Sequence, residues 1–134
     1  MDKLLSGRRL LVVEDEMMVL MLMEDILADL GCESITVAAN VKQALALVNA
    51  QLFDAAMLDV NLNGDRSFPI ADALAAQDVP FIFATGYGID ALTDNYRNRP
   101  LLAKPYSRKD VEEILADLLT HLAFRPELGP LAPA

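Results

Sequence analysis

One cysteine and one histidine are the only soft metal ligands of their kind in these 134 residues. Cys32 alone can close no internal disulfide and build no cysteine-based zinc site. His121 alone makes a histidine-rich metal site equally untenable. Basic residues are scarce as well. Eleven Lys and Arg stand against twenty Asp and Glu, a net charge of −9, and binding a phosphate backbone needs the opposite balance. Arg8–Arg9 and Arg108–Lys109 are the only adjacent basic pairs, so no direct nucleic-acid partner is expected. Long apolar runs are missing too. The opening MDKLLSGRRLLVVEDE carries positive charge, but carboxylates cut its apolar run short. It fits neither a signal peptide nor a membrane span. The expectation is a cytoplasmic protein without a membrane partner.

What is present is material for a core. The chain is 54% apolar by a broad count, much of it Ala and Leu. That composition argues against disorder, and the length suits one domain. RLLVV (9–13) reads as a short buried strand. EMMVLMLMEDILADL (16–30) reads as a helix closed by Gly31. SITVA (34–38) is a β-branched strand, and Asn40 can cap a helix running to Gln51. DAAMLDV (54–60) is a third strand, followed by a turn signal, NLNGD (61–65). Residues 67–77 form a third helix with Pro69 in its first turn. VPFIFATG (79–86) is a fourth strand, 89–97 a weak helix, and PLLAK (100–104) a fifth strand. A final helix is capped by Ser107 and carries His121, read as a packed or solvated imidazole. The remainder, 124–134, holds three prolines and reads as a disordered tail behind a domain spanning 1–123.

Strands alternating with helices imply an α/β fold: a doubly wound, five-stranded parallel sheet with helices on both faces and right-handed crossovers. Ligands of such sheets sit at the carboxyl ends of the strands. There the sequence places Glu14 and Asp15 after the first strand, Asp59 on the third, Thr85 on the fourth and Lys104 on the fifth. Spacings of 44, 26 and 19 residues separate Asp15, Asp59, Thr85 and Lys104, each long enough for a crossover and the next strand. Glu14, Asp15 and Glu16 also raise an electrostatic question. Like charges ~5 Å apart repel by ~3 kcal/mol at an effective dielectric near 20, so water, a helix N-terminus or a cation must offset them. Three carboxylates, a hydroxyl and an ammonium suit a hard divalent cation beside a phosphoryl group. Asp59 can act as both ligand and nucleophile, forming an aspartyl phosphate. Phosphoryl transfer needs charge neutralisation above all, here from Mg²⁺ on one side and Lys104 on the other, with Thr85 donating to a phosphoryl oxygen. Each residue taken alone has a plainer reading as a turn, cap or surface group; their conjunction on one sheet edge carries the site.

VVEDE (12–16), MLDVNLNG (57–64), FATG (83–86) and LAKPY (102–106) resemble, in order, the four signatures of the response-regulator receiver domain, over roughly residues 8–123. FATG resembles a subgroup that often stands alone, and no length remains for an output domain. The resemblance implies a flavodoxin-like sheet of order 2-1-3-4-5. It implies that Asp59 accepts a phosphoryl group from a phosphohistidine of a histidine kinase or phosphotransfer protein. Asp15 becomes the main Mg²⁺ carboxylate, with Glu14 acting directly or through water and Asn61 offering its backbone carbonyl. The bond before Pro105 is expected to be cis. The protein would be a signalling module, not an enzyme, catalysing only its own phosphorylation and dephosphorylation.

Some positions depart from the family pattern. Glu14 stands where Asp is commoner. Leu101 stands where the family places its switch aromatic; Tyr87 and Tyr106 are the nearby aromatics that could serve instead, and Tyr87 could also shield the acyl phosphate. On the first helix, Val19, Leu22, Met23, Ile26 and Leu30 form the expected core stripe. Met17, Met18, Leu20 and Met21 are then surplus, and Met17, Met18 and Met21 are candidates for docking the phosphodonor's helices. A downstream protein, or a second copy forming a homodimer, would read the face of the fourth helix, fifth strand and fifth helix. Alternatives are a phosphorylation-independent interaction module and a phosphate sink in a relay. An aspartyl phosphatase would want a second Asp where Asn61 stands.

Overall fold

The computed structural model describes residues 3–86, 92, 93, 96 and 99–120. Five strands form the main sheet: β1 (Arg9–Val13), β2 (Ser34–Ala38), β3 (Ala55–Asp59), β6 (Phe81–Thr85) and β7 (Leu101–Ala103). All pair in parallel, in the order β2-β1-β3-β6-β7. Counting main-sheet strands alone, that is 2-1-3-4-5, as the resemblance implied. A two-stranded hairpin of β4 (Asn61–Leu62) and β5 (Asp65–Arg66) follows β3. Four helices are described: α1 (Met17–Asp29), α2 (Val41–Ala50), α3 (Phe68–Ala76) and α4 (Arg108–Thr120). The weak helix expected at 89–97, His121 and the tail at 124–134 fall outside the described residues, apart from 92, 93 and 96.

Alternation along each strand sorts the core into two halves. Leu11, Val13, Ala56, Leu58, Phe81 and Phe83 face α2 and α3. Leu10, Val12, Ala55, Met57, Ile82 and Ala84 face α1 and α4. Both faces are buried, which is why these strands read as unbroken apolar runs. The caps lie where side-chain chemistry places them. Asn40 Oδ1 accepts from the Gln43 N–H at 2.8 Å, and Gln43 returns a bond to the Ala39 N–H. At α4, Ser107 Oγ accepts from the Asp110 N–H while Asp110 accepts from the Ser107 N–H, a reciprocal capping box.

Two features differ from the sequence expectation. On α1 the buried stripe is Leu20, Met23, Ile26, Leu27 and Leu30, while Leu22 is 48% exposed and Val19 half-buried. Leu20 and Leu27 lie seven residues apart, two turns along one line of the helix. Choosing Val19 and Leu22 rotated the N-terminal end of the stripe too far. The second feature lies before β1. A turn at residues 4–7 buries Leu5 and donates the Leu5 N–H to the Leu30 carbonyl at 2.9 Å. Lys3 Nζ reaches the Asp29 carbonyl, so the turn caps the end of α1.

Candidate functional site

Parallel register brings the strand ends to one level. Val13 lies opposite Leu58, Asp59 opposite Ala84, and Thr85 opposite Ala103. Glu14, Asp59, Thr85 and Lys104 therefore share one edge, and the Lys104 N–H is tied to the Thr85 carbonyl at 3.0 Å. The Lys104–Pro105 bond is cis.

Lys104 is the hub. Its Nζ donates to Glu14 Oε1 at 2.9 Å and to Asp59 Oδ2 at 3.2 Å. One carboxylate oxygen each from Glu14, Asp15 and Asp59 lies within 4.8 Å of the others. Glu14, Asp59 and Thr85 are buried; Asp15 is half-buried. Backbone donors hold the acids as well: the Glu16 N–H on Glu14 Oε2 at 3.1 Å, and the Asn63 N–H on Asp15 Oδ2 at 2.9 Å. The Asn61 N–H makes a longer contact, 3.4 Å, to Asp59 Oδ1.

Burial pushes the Glu14 carboxyl up to about 7, against the pull of Lys104 and of the Glu16 N–H, and the Asp59 charge pushes the same way as burial. Burial alone would lower the Lys104 ammonium. The hydrogen bond to Glu14 and the charges of Asp59 and Glu14 outweigh it and hold Lys104 above its ordinary value. A half-buried Tyr106 faces the same charges. Burial first, then Glu14, raise its hydroxyl to about 12, with Lys104 opposing.

The donor set is all oxygen, which fits a hard cation. Two oxygens on one Mg²⁺ at ~2.1 Å lie at most ~4.2 Å apart. Adjacent oxygens of its octahedral shell lie ~3 Å apart, so the three acids, whose oxygens stand within 4.8 Å of one another, would draw together around the ion. Leu101, at the position of the family's switch aromatic, is half-buried and packs against the α2–α3 half of the core opposite Phe83. Tyr87 lies outside the described residues. Met17, Met18 and Met21 are exposed, Met18 at 80%, on the helix that begins directly after Glu16.

One residue escaped the sequence reading. Tyr96 is buried among Phe68, Phe81 and Phe83, stacks in parallel on Phe68, and donates its hydroxyl to Asp72 on α3. Arg99 sits over the Phe81 ring, 4.6 Å from its centre. The available signal was a tyrosine between the fourth strand and the fifth, in a segment too short of periodicity to orient it. Among the described residues, no helix is long and apolar enough to cross a membrane.

A family model described as "Response regulator receiver domain" matches residues 10–116. The chain belongs to this family, whose members are signalling modules, not conventional enzymes. It is similar to the solution structure of SdrG from Sphingomonas melonis Fr1, with 44% identity over 86% of this chain and 97% of that one, TM-score 0.76. The BeF3-activated conformation of SdrG from Pseudomonas melonis Fr1 matches at 43% over 85% and 98%, TM-score 0.74. The receiver domain of the sensor histidine kinase PA1611 from Pseudomonas aeruginosa PAO1, solved with magnesium coordinated in its active-site cleft, matches at 26% over 86% and 99%, TM-score 0.72. No curated protein sequence matches.

Proposed function

We propose that the chain is a single-domain phosphoacceptor in a two-component relay. It takes a phosphoryl group onto Asp59 from the phosphohistidine of a histidine kinase or histidine phosphotransfer protein. The observation that carries this reading is the buried Asp59 carboxylate, with the Lys104 ammonium at 3.2 Å and oxygens of Glu14 and Asp15 within 4.8 Å. Structural likeness to SdrG in its BeF3-activated conformation supports it.

In the transfer, an Asp59 carboxylate oxygen attacks phosphorus. The bond from phosphorus to the donor imidazole nitrogen breaks, and its electron pair stays on that nitrogen. Asp15, Asp59 and the Asn61 carbonyl would hold Mg²⁺, with Glu14 contributing directly or through water. When bound, that ion supplies charge neutralisation for the phosphoryl oxygens. Lys104 keeps its ammonium beside Asp59 and shifts onto the new phosphoryl oxygens, and the Thr85 hydroxyl donates to another. The exposed Met17, Met18 and Met21 receive the donor's helices, since flexible thioether side chains adapt to a partner face. Rearrangement behind Thr85 changes the face of β7 and α4, which a downstream protein or second copy reads.

The test is labelling with acetyl phosphate and Mg²⁺, followed by intact mass. Wild type should gain one phosphoryl group that alkali removes, and Asp59→Asn should gain none. Equal labelling of the variant, or no labelling of wild type, overturns the proposal and leaves a phosphorylation-independent interaction module.

A further inference from the structure

The hairpin that follows Asp59 turns back over the acidic cluster. Its first strand is pinned by Leu62, which is buried. Its base is closed by the Ser67 N–H donating to the Val60 carbonyl at 2.9 Å. Asn61 pairs with Arg66 and Leu62 with Asp65, leaving a two-residue tip of Asn63 and Gly64. Both tip residues have positive φ, 56° and 95°, the mirror-image turn that suits a tight hairpin. Such a turn aims its tip N–H groups away from the ladder. The Asn63 N–H reaches Asp15 Oδ2 at 2.9 Å, and the Gly64 N–H is satisfied by Asn61 Oδ1 at 2.8 Å.

We infer that this tip is the positioning element of the cation site, and that it sets a preference for Mg²⁺ over Ca²⁺. The inference rests on the proposed Mg²⁺ role of Asp15, Asp59 and Asn61. Glu14 and Asp59 are already fixed by Lys104. Asp15 is half-buried, and the hairpin N–H of Asn63 orients it through Oδ2. Asn61 belongs to the same hairpin, so one rigid turn governs two candidate ligands that come from separate segments. Rigidity matters differently to the two ions. Mg²⁺ demands near-ideal octahedral geometry, while Ca²⁺ accepts irregular sets of six to eight oxygens. Asn63 and Gly64 act through Asp15 and are positioning residues.

The experiment is calorimetric titration of the full chain with MgCl2 and with CaCl2. The set comprises wild type, Gly64→Val, Asn63→Gly and Asp15→Asn, each checked for fold by circular dichroism. Gly64→Val places a β-branched residue at φ 95°, a strained conformation, although nothing lies within 4 Å of the new Cβ. It should bind Mg²⁺ about tenfold more weakly, the scale of losing a ligand's supporting hydrogen bond. Its Ca²⁺ affinity should stay within about twofold. Asn63→Gly keeps both the N–H and the left-handed backbone and should match wild type. An unchanged Mg²⁺-to-Ca²⁺ ratio in folded Gly64→Val overturns the inference while leaving the metal reading intact. A wild type that binds no Mg²⁺, or an Asp15→Asn that binds it as well as wild type, overturns the metal reading itself. If Gly64→Val does not fold, Asn61→Ala reads the same ratio. It removes only the side-chain bond to the Gly64 N–H and should lower Mg²⁺ affinity about threefold, a fraction of the full supporting-bond loss; no change overturns the inference.

Discussion

Replacing Lys104 by Met removes the one ammonium that joins Glu14 to Asp59 while keeping most of the side chain's volume. The Lys104 side chain is only 18% exposed and sits 2.9 and 3.2 Å from its partners. At an effective dielectric near 20, each attraction is ~5–6 kcal/mol before desolvation is subtracted. Breaking a buried pair by removing one member costs a net ~3–5 kcal/mol, because a charge stays behind unpaired. The site opens at one edge, so the lower figure applies, ~3 kcal/mol. With a urea slope of ~1.5 kcal/mol per M, the midpoint of Lys104→Met should fall by ~2 M at pH 8 without divalent ions. The loss should shrink towards pH 5. Glu14 titrates at about 7 when folded against 4.5 otherwise. A carboxyl raised in this way stabilises fully below the lower value and loses that contribution as pH climbs through the upper one. Near pH 5 the native Glu14 is therefore neutral and the missing ammonium matters less. Mg²⁺ at ten times its dissociation constant should restore ~1.4 kcal/mol. Urea melts at pH 5 and pH 8, with and without Mg²⁺, test all three statements. A Lys104→Met midpoint equal to wild type at pH 8 would show that the ammonium does not compensate these acids.

Two further outcomes are expected. Met18→Glu and Met21→Glu should each slow transfer from a histidine donor about tenfold, the scale of losing an interface hot spot, while acetyl phosphate labelling stays unchanged; normal transfer rates remove the docking role. Gly31→Ala should lower the thermal midpoint by ~5–10 °C. Gly31 has φ 99°, and an added Cβ would sit 2.6 Å from Lys3 Cβ, prying the N-terminal turn from the end of α1. A midpoint within ~1 °C of wild type would mean the turn contributes little.

β1, β3 and β6 were readable because both faces of each are buried, so RLLVV and FIFAT appear as runs that stop abruptly at polar residues. The site was readable for the same reason: the polar residue after a buried run marks the sheet edge. Asn40 and Ser107 were readable as caps because their bonds are local. What escaped depended on partners distant in sequence. Leu5 shows no periodicity, and its burial comes from the end of α1. Tyr96 is placed by three phenylalanines and Asp72, none within ten residues of it. NLNGD announced a turn, but its use as a hairpin aimed at Asp15 requires knowing that residues 15 and 63 meet. The phase of α1 failed by a fraction of a turn because every residue from Met17 to Met23 is apolar. In such a run the pattern alone cannot choose which side faces the sheet.

The carboxylate-rich end of β1 is tolerable because compensation is built in before any cation arrives. Glu14 has Lys104 on one oxygen and the Glu16 N–H on the other. Asp59 shares Lys104, and Asp15 takes the Asn63 N–H. Fixed backbone dipoles and one shared ammonium offset much of the repulsion, and Glu14 relieves part of the remainder by holding its proton up to about pH 7. A cation joining Asp15 and Asp59 would then make the potential at Glu14 more positive and favour release of that proton. Binding of Mg²⁺ at pH 6 should therefore be accompanied by proton release, and the release should vanish in Glu14→Gln. Calorimetry in two buffers of different ionisation enthalpy reads the proton count directly. Equal heats for wild type in both buffers would show that Mg²⁺ binding draws no proton from Glu14, which would refute the coupling.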